Sequence, residues 1–389
     1  MKMRRSLTTG AALGLTALLA AACSSSSSSS SSAAPANTSS AAASASGSAS
    51  AATSGGASAS SGLGPQAAAL QALYNKAVAA GQTSVVIYGP SAGSDQKLYT
   101  AFQKDFPKIT VTGVPVVGPP MSAKLSAEVS SGKHIGDIAY TGDTDMLTYS
   151  QSGWFTPYTP LTATNSADLA AETAGPNNDF YGLSISVSGM VTNSNSSLPI
   201  PQTWSDLTKS VYDNKIAMGD PTAVGQMADI LAHLAIEPAN TKVEAGLKAN
   251  NAQIFPASSL TGPITAVAQG AKGVALAQGY NYYVNAKAAG APLTFTLLKS
   301  DNYDVALYAG IIKGAPDPLA AELYESWAYT PDAAAAMASE GEYSAVNGAV
   351  APQGLPPLSQ IPLQPNIPFA QVVTADDNAI TGAKQYWGS

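Results

Sequence analysis

The sequence predicts an α/β protein of two lobes, on three observations. Short strand and helix signals alternate over residues 84–153, the rhythm of a doubly wound sheet. A long β-rich run, Tyr181–Asn193, then breaks that rhythm, as a strand does when it leaves one sheet and enters another. The chain from about Gln66 to Ser389 is long enough to give each lobe its own core.

The first residues set the compartment. Lys2, Arg4 and Arg5 precede an apolar Ala/Leu-rich stretch, Ala11–Ala22, that is too short to span a bilayer and ends in small residues. Residues 1–22 therefore read as a cleavable signal peptide. Cys23 follows at once and is the only cysteine, so no internal disulfide can form. Ser24–Ser32 is an unbroken serine run, and Ala, Ser, Gly and Thr dominate to residue 64. No charged residue stands between Arg5 and Lys76. Such a tract cannot bury enough apolar surface to offset chain entropy, so residues 23–64 read as a tether. About forty such residues reach about 35 Å.

Charge excludes one class of partner. Removing the three cations of residues 1–22 takes the formal net charge from −7 to −10. No basic stripe exists, and nucleic acid requires clustered Lys and Arg. There is no Walker A loop, paired-cysteine site or H-E-x-x-H.

In order, the elements are as follows. Gln66–Ala80 carries Leu70, Leu73, Tyr74, Ala77 and Val78 at helical spacing and stops at Gly81. Residues 84–88 form a buried strand, and Ser94 is placed to cap a helix over 95–106. Strand 109–112, helix 121–131, strand 135–140 and helix 144–153 complete the first run. Beyond Tyr181–Asn193 come strand 215–218, a helix to about Leu234, and strand 273–277 leading into a helix. Strands 293–298 and 304–312 and helices 317–327 and 332–340 follow. The expected lobes are 65–186, completed by about 300–325, and 187–299, completed by about 326–389. Hinges are expected near Ser186–Val191 and Leu293–Tyr308.

Four segments carry a family resemblance: Val85–Gly89 with its helix; Gly136–Asp143; Thr203–Leu207 leading to Lys215–Thr222; and Gly279–Tyr283. In this order they resemble the type II extracellular solute-binding proteins of ABC transporters, in the branch associated with ferric iron and other small solutes. The resemblance implies a two-lobed periplasmic-binding-protein-like type II fold with hinge strands and a central ligand cleft. It implies a small-molecule or metal-ion solute and an ABC transporter permease as partners, with the binding protein a monomer. Leu18–Cys23 resembles a lipobox, with Ala20 at the usual large position. It implies lipidation of Cys23 and a membrane anchor on the extracellular face; a plain secretory peptide is the alternative.

In open α/β sheets ligands sit at the carboxyl ends of strands. Loops 89–94, 141–144 and 219–225 lie there, each before a helix whose N-terminus offers free N–H groups. Ser91, Ser94, Thr141 and Thr222 add hydroxyls, for ligand contact or for helix capping. Asp143 either meets a cation or caps the next helix, and Gly142 and Asp220, in the same turns, are expected among the ligand-binding residues.

Tyr280, Tyr282 and Tyr283 form an aromatic cluster. The resemblance implies that Tyr282 and Tyr283 match the tyrosine pair that ligates ferric iron, and oxygen donors suit a hard cation. The histidine and glutamate of some ferric sites have no counterpart: the first loop reads Gly89-Pro90-Ser91, and Gly142 stands where a glutamate is expected. Iron would then need a synergistic, carbonate-like anion. Alternatively the tyrosines contact an organic solute such as a phosphonate, a polyamine or a thiamine-like compound, or serve only packing. No resident cofactor is expected.

Two other classes were weighed. Gly89-Pro90-Ser91-Ala92-Gly93 matches a nucleophile elbow, but a Ser91 hydrolase needs a histidine base and only His134 and His233 exist. An adhesive surface protein would suit the serine tether but not the ordered α/β alternation.

Overall fold

The structure is a computed structural model that describes residues 62–388, apart from 162–172, 237–239 and 241. The expectations for the signal peptide, for Cys23 and for the tether up to residue 61 lie outside the described residues.

The first lobe begins with α1 (Ala67–Ala79), β1 (Ser84–Gly89) and α2 (Gln96–Asp105). It continues through β2 (Thr110–Pro115), α3 (Gly118–Ser131), β3 (Ile138–Gly142) and α4 (Asp143–Gln151). Helix α2 buries Leu98, Tyr99 and Phe102, the i, i+4 stripe that its sequence displays. Ser94 does not cap it. Asp95 is the N-cap residue, without a side-chain cap bond, and Ser94 Oγ instead donates to the Ser91 carbonyl at 2.9 Å.

Strand β4 (Tyr181–Asn193) is buried along nearly its whole length, as a strand covered on both faces must be. The second lobe follows with β5 (Ile216–Gly219), α5 (Gln226–Ile236), α6 (Val243–Ala249) and β6 (Gln253–Phe255). Next come α7 (Gly262–Ala268), β7 (Val274–Gly279), α8 (Tyr280–Ala288) and β8 (Leu293–Thr296). The chain returns through β9 (Tyr303–Ile311) to α9 (Pro318–Trp327), α10 (Pro331–Glu340) and β10 (Tyr343–Ser344), and ends in α11 (Phe369–Trp387).

One ladder runs through both lobes, in the order β2-β1-β3-β9-β4-β7-β5-β6. Its outer pairs are parallel, as crossover connections require, whereas β3–β9, β9–β4 and β4–β7 are antiparallel. β4 exchanges partners at Ser188, which faces Tyr303 of β9 on one side and Gly279 of β7 on the other. The register shifts just beyond, between Gly189 and Val191. This exchange lies within the first expected hinge.

Each lobe has a core. In the first, Phe102 meets Trp327 edge-on at 5.3 Å and Tyr324 at 5.1 Å. Trp204, Leu207, Tyr212, Met218 and Ile230 anchor the second. The segment 326–372 departs from the expected boundaries. Trp327, Met337, Tyr343, Ile361, Phe369 and Val372 bury themselves in the first lobe's core rather than completing the second. The reason is packing: α9 lies on α1 and α10 on α2. Helix α11 reaches across, against α5 and α4, with Ala383 in the second core.

Candidate functional site

Strands β1, β3, β5, β6 and β7 all point their carboxyl ends at one cavity of about 390 Å³. The first lobe supplies Pro90 and Ser91, the start of α3 and the β3–α4 turn. The second supplies the loops after β5 and β6 and the β7–α8 junction, while Ser186, Val305 and Leu307 come from the crossing strands. Most of the wall is apolar, with Val117, Pro119 and Pro120 facing Met227, Leu260 and Pro263.

The charged groups of the wall are Asp143, Asp145, Asp220 and Asp229; no lysine, arginine or histidine is among the described lining residues. Burial, then the charges of Asp376 and Asp145, push the Asp143 carboxyl up to about 6, although the Thr144 N–H donates to it at 2.8 Å. Burial likewise raises Asp145, against the opposing hydrogen bond from Thr141. Asp229 is raised by burial and by Asp376 and Asp143, and its Oδ2 accepts from Tyr303 Oη at 3.2 Å. Asp229 and Asp376 are hydrogen-bonded to one another, so one of the two carboxyls holds a proton. Asp376 also accepts from Thr144 Oγ1.

A second network joins the lobes under the cleft. Asn281 Nδ2 donates to Glu342 Oε1 at 2.8 Å and reaches Ser91 Oγ at 3.4 Å. Glu342, itself buried, accepts from Ser184 Oγ at 2.7 Å and from Tyr140 Oη at 3.3 Å. Tyr282 is hydrogen-bonded to Ser91; burial first, then Glu342, hold its phenol above the ordinary range. Gly279, between β7 and α8, has no room for a side chain, because a Cβ would stand 2.6 Å from Asn281 Oδ1. Ala277, also in the wall, holds φ at +50°, a strained left-handed conformation of the kind that clusters at ligand sites.

Of the residues singled out from the sequence, Ser91, Thr141, Gly142, Asp143, Asp220 and Tyr282 line the cleft. Thr222 does not: its N–H and hydroxyl bind Asp220 Oδ1 at 2.8 and 2.6 Å, closing a turn before α5. Tyr280 and Tyr283 do not either. Tyr280 donates to the Gln353 carbonyl at 2.7 Å, and both rings pack on Phe295, with centroids at 4.8 and 5.5 Å. The Tyr282–Tyr283 pair is thus divided between cleft and core. Among the described residues, no three of His, Cys, Asp and Glu are grouped to hold a metal.

The sequence reading did not single out Asp145, Asp229, Gln278 or Asn281. For Asp229 a signal existed: it is a lone acid among Met227, Ala228, Ile230 and Leu231, all buried. Ser91 has no histidine beside it. His233 Nδ1 bonds the Asp229 carbonyl at 2.8 Å, and His134 lies against Gly314.

A family model described as bacterial extracellular solute-binding protein matches residues 97–360. Among solved structures, the chain is similar to iron-bound HitA from Pseudomonas aeruginosa. The TM-score is 0.64 at 17% identity, over 78% of this chain and 99% of that one. It is similar to the periplasmic binding protein AfuA from Actinobacillus pleuropneumoniae, bound to fructose-6-phosphate. There the TM-score is 0.65 at 18% identity, over 78% and 98%. Trichodesmium IdiA (FutA), in complex with iron and citrate, gives 0.59 at 18% identity, over 79% and 100%. At these identities the likeness speaks to the fold. No curated protein matches by sequence.

Proposed function

The chain belongs to the bacterial extracellular solute-binding protein family, and on that premise we propose that it is the capture component of an ABC importer, closing its lobes on a small organic solute. The cleft carries this reading. At about 390 Å³, walled by both lobes and by both crossing strands, it has the size and the largely apolar lining of small-molecule sites. Ligand contacts from both lobes are complete only when the lobes meet, so binding shifts the population toward the closed form. The permease then recognises that form. Cys23, lipidated, would hold a monomeric binding protein at the extracellular face of the membrane.

Ferric iron is a second reading. It is favoured by Tyr282 in the wall and by the iron bound to the structural neighbours HitA and IdiA (FutA). It would need a synergistic anion, because Tyr283 packs on Phe295 rather than lining the cleft.

The test is a thermal-shift screen of the purified protein against organic solutes, run beside a visible spectrum titrated with ferric citrate and bicarbonate. A stabilising organic solute without a visible band supports the first reading. A tyrosinate-to-iron charge-transfer band supports the second.

A further inference from the structure

On the solute-binding reading above, we propose that the cleft selects a solute bearing a protonated amine on an apolar body, with the ammonium group seated among Asp143, Asp229 and the Gln278 side-chain oxygen. Charge is the first ground. Four aspartates, Asp143, Asp145, Asp220 and Asp229, line the cavity, the last sharing a proton with Asp376, and no cationic side chain among the described lining residues opposes them. The N-termini of α3, α4, α5 and α8 also face this end of the sheet. Each supplies only about half a positive charge, fixed on backbone N–H groups. A cavity of one sign with low-dielectric walls concentrates counter-ions of the other.

Gln278 is the second and independent ground. It lines the cleft, is 5% exposed, and commits its Nε2 to the Leu276 carbonyl at 2.7 Å. Its Oε1 is buried with no hydrogen-bond partner among the described residues. A buried acceptor left unmade is costly, and an N–H donor from the ligand would satisfy it. A carboxylate brings no donor, and a carboxylate, phosphate or phosphonate adds repulsion.

A smaller cavity of about 20 Å³ shares Asp143 and Val305 with the cleft and is walled by Asp304, Gln364 and His233, and burial favours the neutral form of the His233 ring. Asp304 Oδ2 and both polar atoms of the Gln364 amide are buried without hydrogen-bond partners among the described residues. The volume admits one water-sized group, which suits an ammonium tip or the water that solvates it. The raised carboxyls agree: burial pushes Asp304 up to about 7 and Asp143 to about 6, shifts that a neighbouring cation would reverse. The apolar wall of Val117, Pro119, Pro120, Met227, Leu260 and Pro263 would take the body of the solute.

The experiment is calorimetric titration of the whole protein with probes that share one skeleton: phenethylamine, phenethyl alcohol, phenylpropionate and phenethylphosphonate. Spermidine, hexylamine and ferric citrate are added to the panel. The expected result is heat from amines alone, weakened about tenfold in Asp143→Asn and reduced by added salt. Gln278→Leu should weaken amine binding with Asp143 intact, which keeps the assignment testable if Asp143→Asn folds poorly. Anions binding as well as amines, or amine affinity unchanged in both variants, would overturn the proposal. Silence of every amine while an anion, an alcohol or ferric citrate binds overturns the amine class and leaves the solute-binding reading standing. Silence of the whole panel overturns both.

Discussion

Asn281, in the first turn of α8, donates from Nδ2 to Glu342 Oε1 at 2.8 Å, and Glu342 sits one residue before β10 on the first lobe. One amide therefore ties the cleft wall of the second lobe to a buried acid of the first. In Asn281→Ala this buried acid loses a hydrogen bond. The ligand-free protein should open, with a larger radius of gyration by small-angle X-ray scattering and solute affinity lower by about tenfold. A radius equal to that of the wild type would show that this bond does not hold the lobes together.

The two adjacent tyrosines should separate in effect. Tyr282 lines the cleft and is bonded to Ser91, whereas Tyr283 packs on Phe295. Tyr282→Phe is expected to weaken solute binding by about tenfold, and Tyr283→Phe to leave it nearly unchanged. Titration of both variants decides; equal losses would refute the division.

Glu128 fastens the approach to β3. Its Oε2 accepts the Ile135 and Gly136 N–H groups at 3.0 and 3.1 Å, and its Oε1 accepts Tyr88 Oη at 2.7 Å. Burial raises its carboxyl, but these bonds and Lys124 outweigh that, so the folded value lies below the usual 4.5. A depressed folded value contributes stability above about 4.5 that is lost as pH falls through it. Glu128→Gln should therefore cost about 2 kcal/mol at pH 7, with wild type and variant converging below pH 4. Urea midpoints at the two pH values measure this; a constant gap would count against it.

The opposite sign holds for Asp143, Asp304 and Glu325, which burial raises to about 6, 7 and 8. Above the unfolded value the folded chain keeps these protons longer, so stability falls as pH rises through the interval. The ligand-free protein should melt at a higher temperature at pH 5 than at pH 8, by scanning calorimetry. A bound amine should narrow the difference, and a higher melting temperature at pH 8 would contradict the assignment.

Much of the fold was legible because its signals are local. The run Tyr181–Asn193 has the length and composition of a buried strand, and that strand does cross between lobes. The closing helix α11 was missed for a physical reason. Its buried positions, Phe369, Val372, Asp376, Ile380 and Ala383, have helical spacing, but an acid interrupts the apolar stripe. That acid is buried because it pairs with Asp229 and Thr144, which are distant in sequence. The cleft was legible where a turn follows a strand, at Ser91, Thr141 and Asp220. Facing was not: neighbouring helix residues differ by about 100° in direction, and only packing decides which of Tyr282 and Tyr283 meets the cavity.

The antiparallel pairing of β3 with β9 sets Ile138 opposite Ile311, with the entire second lobe between them in sequence. Closing so long a loop costs entropy before any contact offsets it, and such topologies fold slowly. The first lobe's sheet therefore cannot be completed until the last third of the chain is available, whereas the second lobe's strands β5, β6 and β7 already have one another. The cleft, walled by both lobes and by Val305 and Leu307 of β9, is therefore completed only once that late strand is in place.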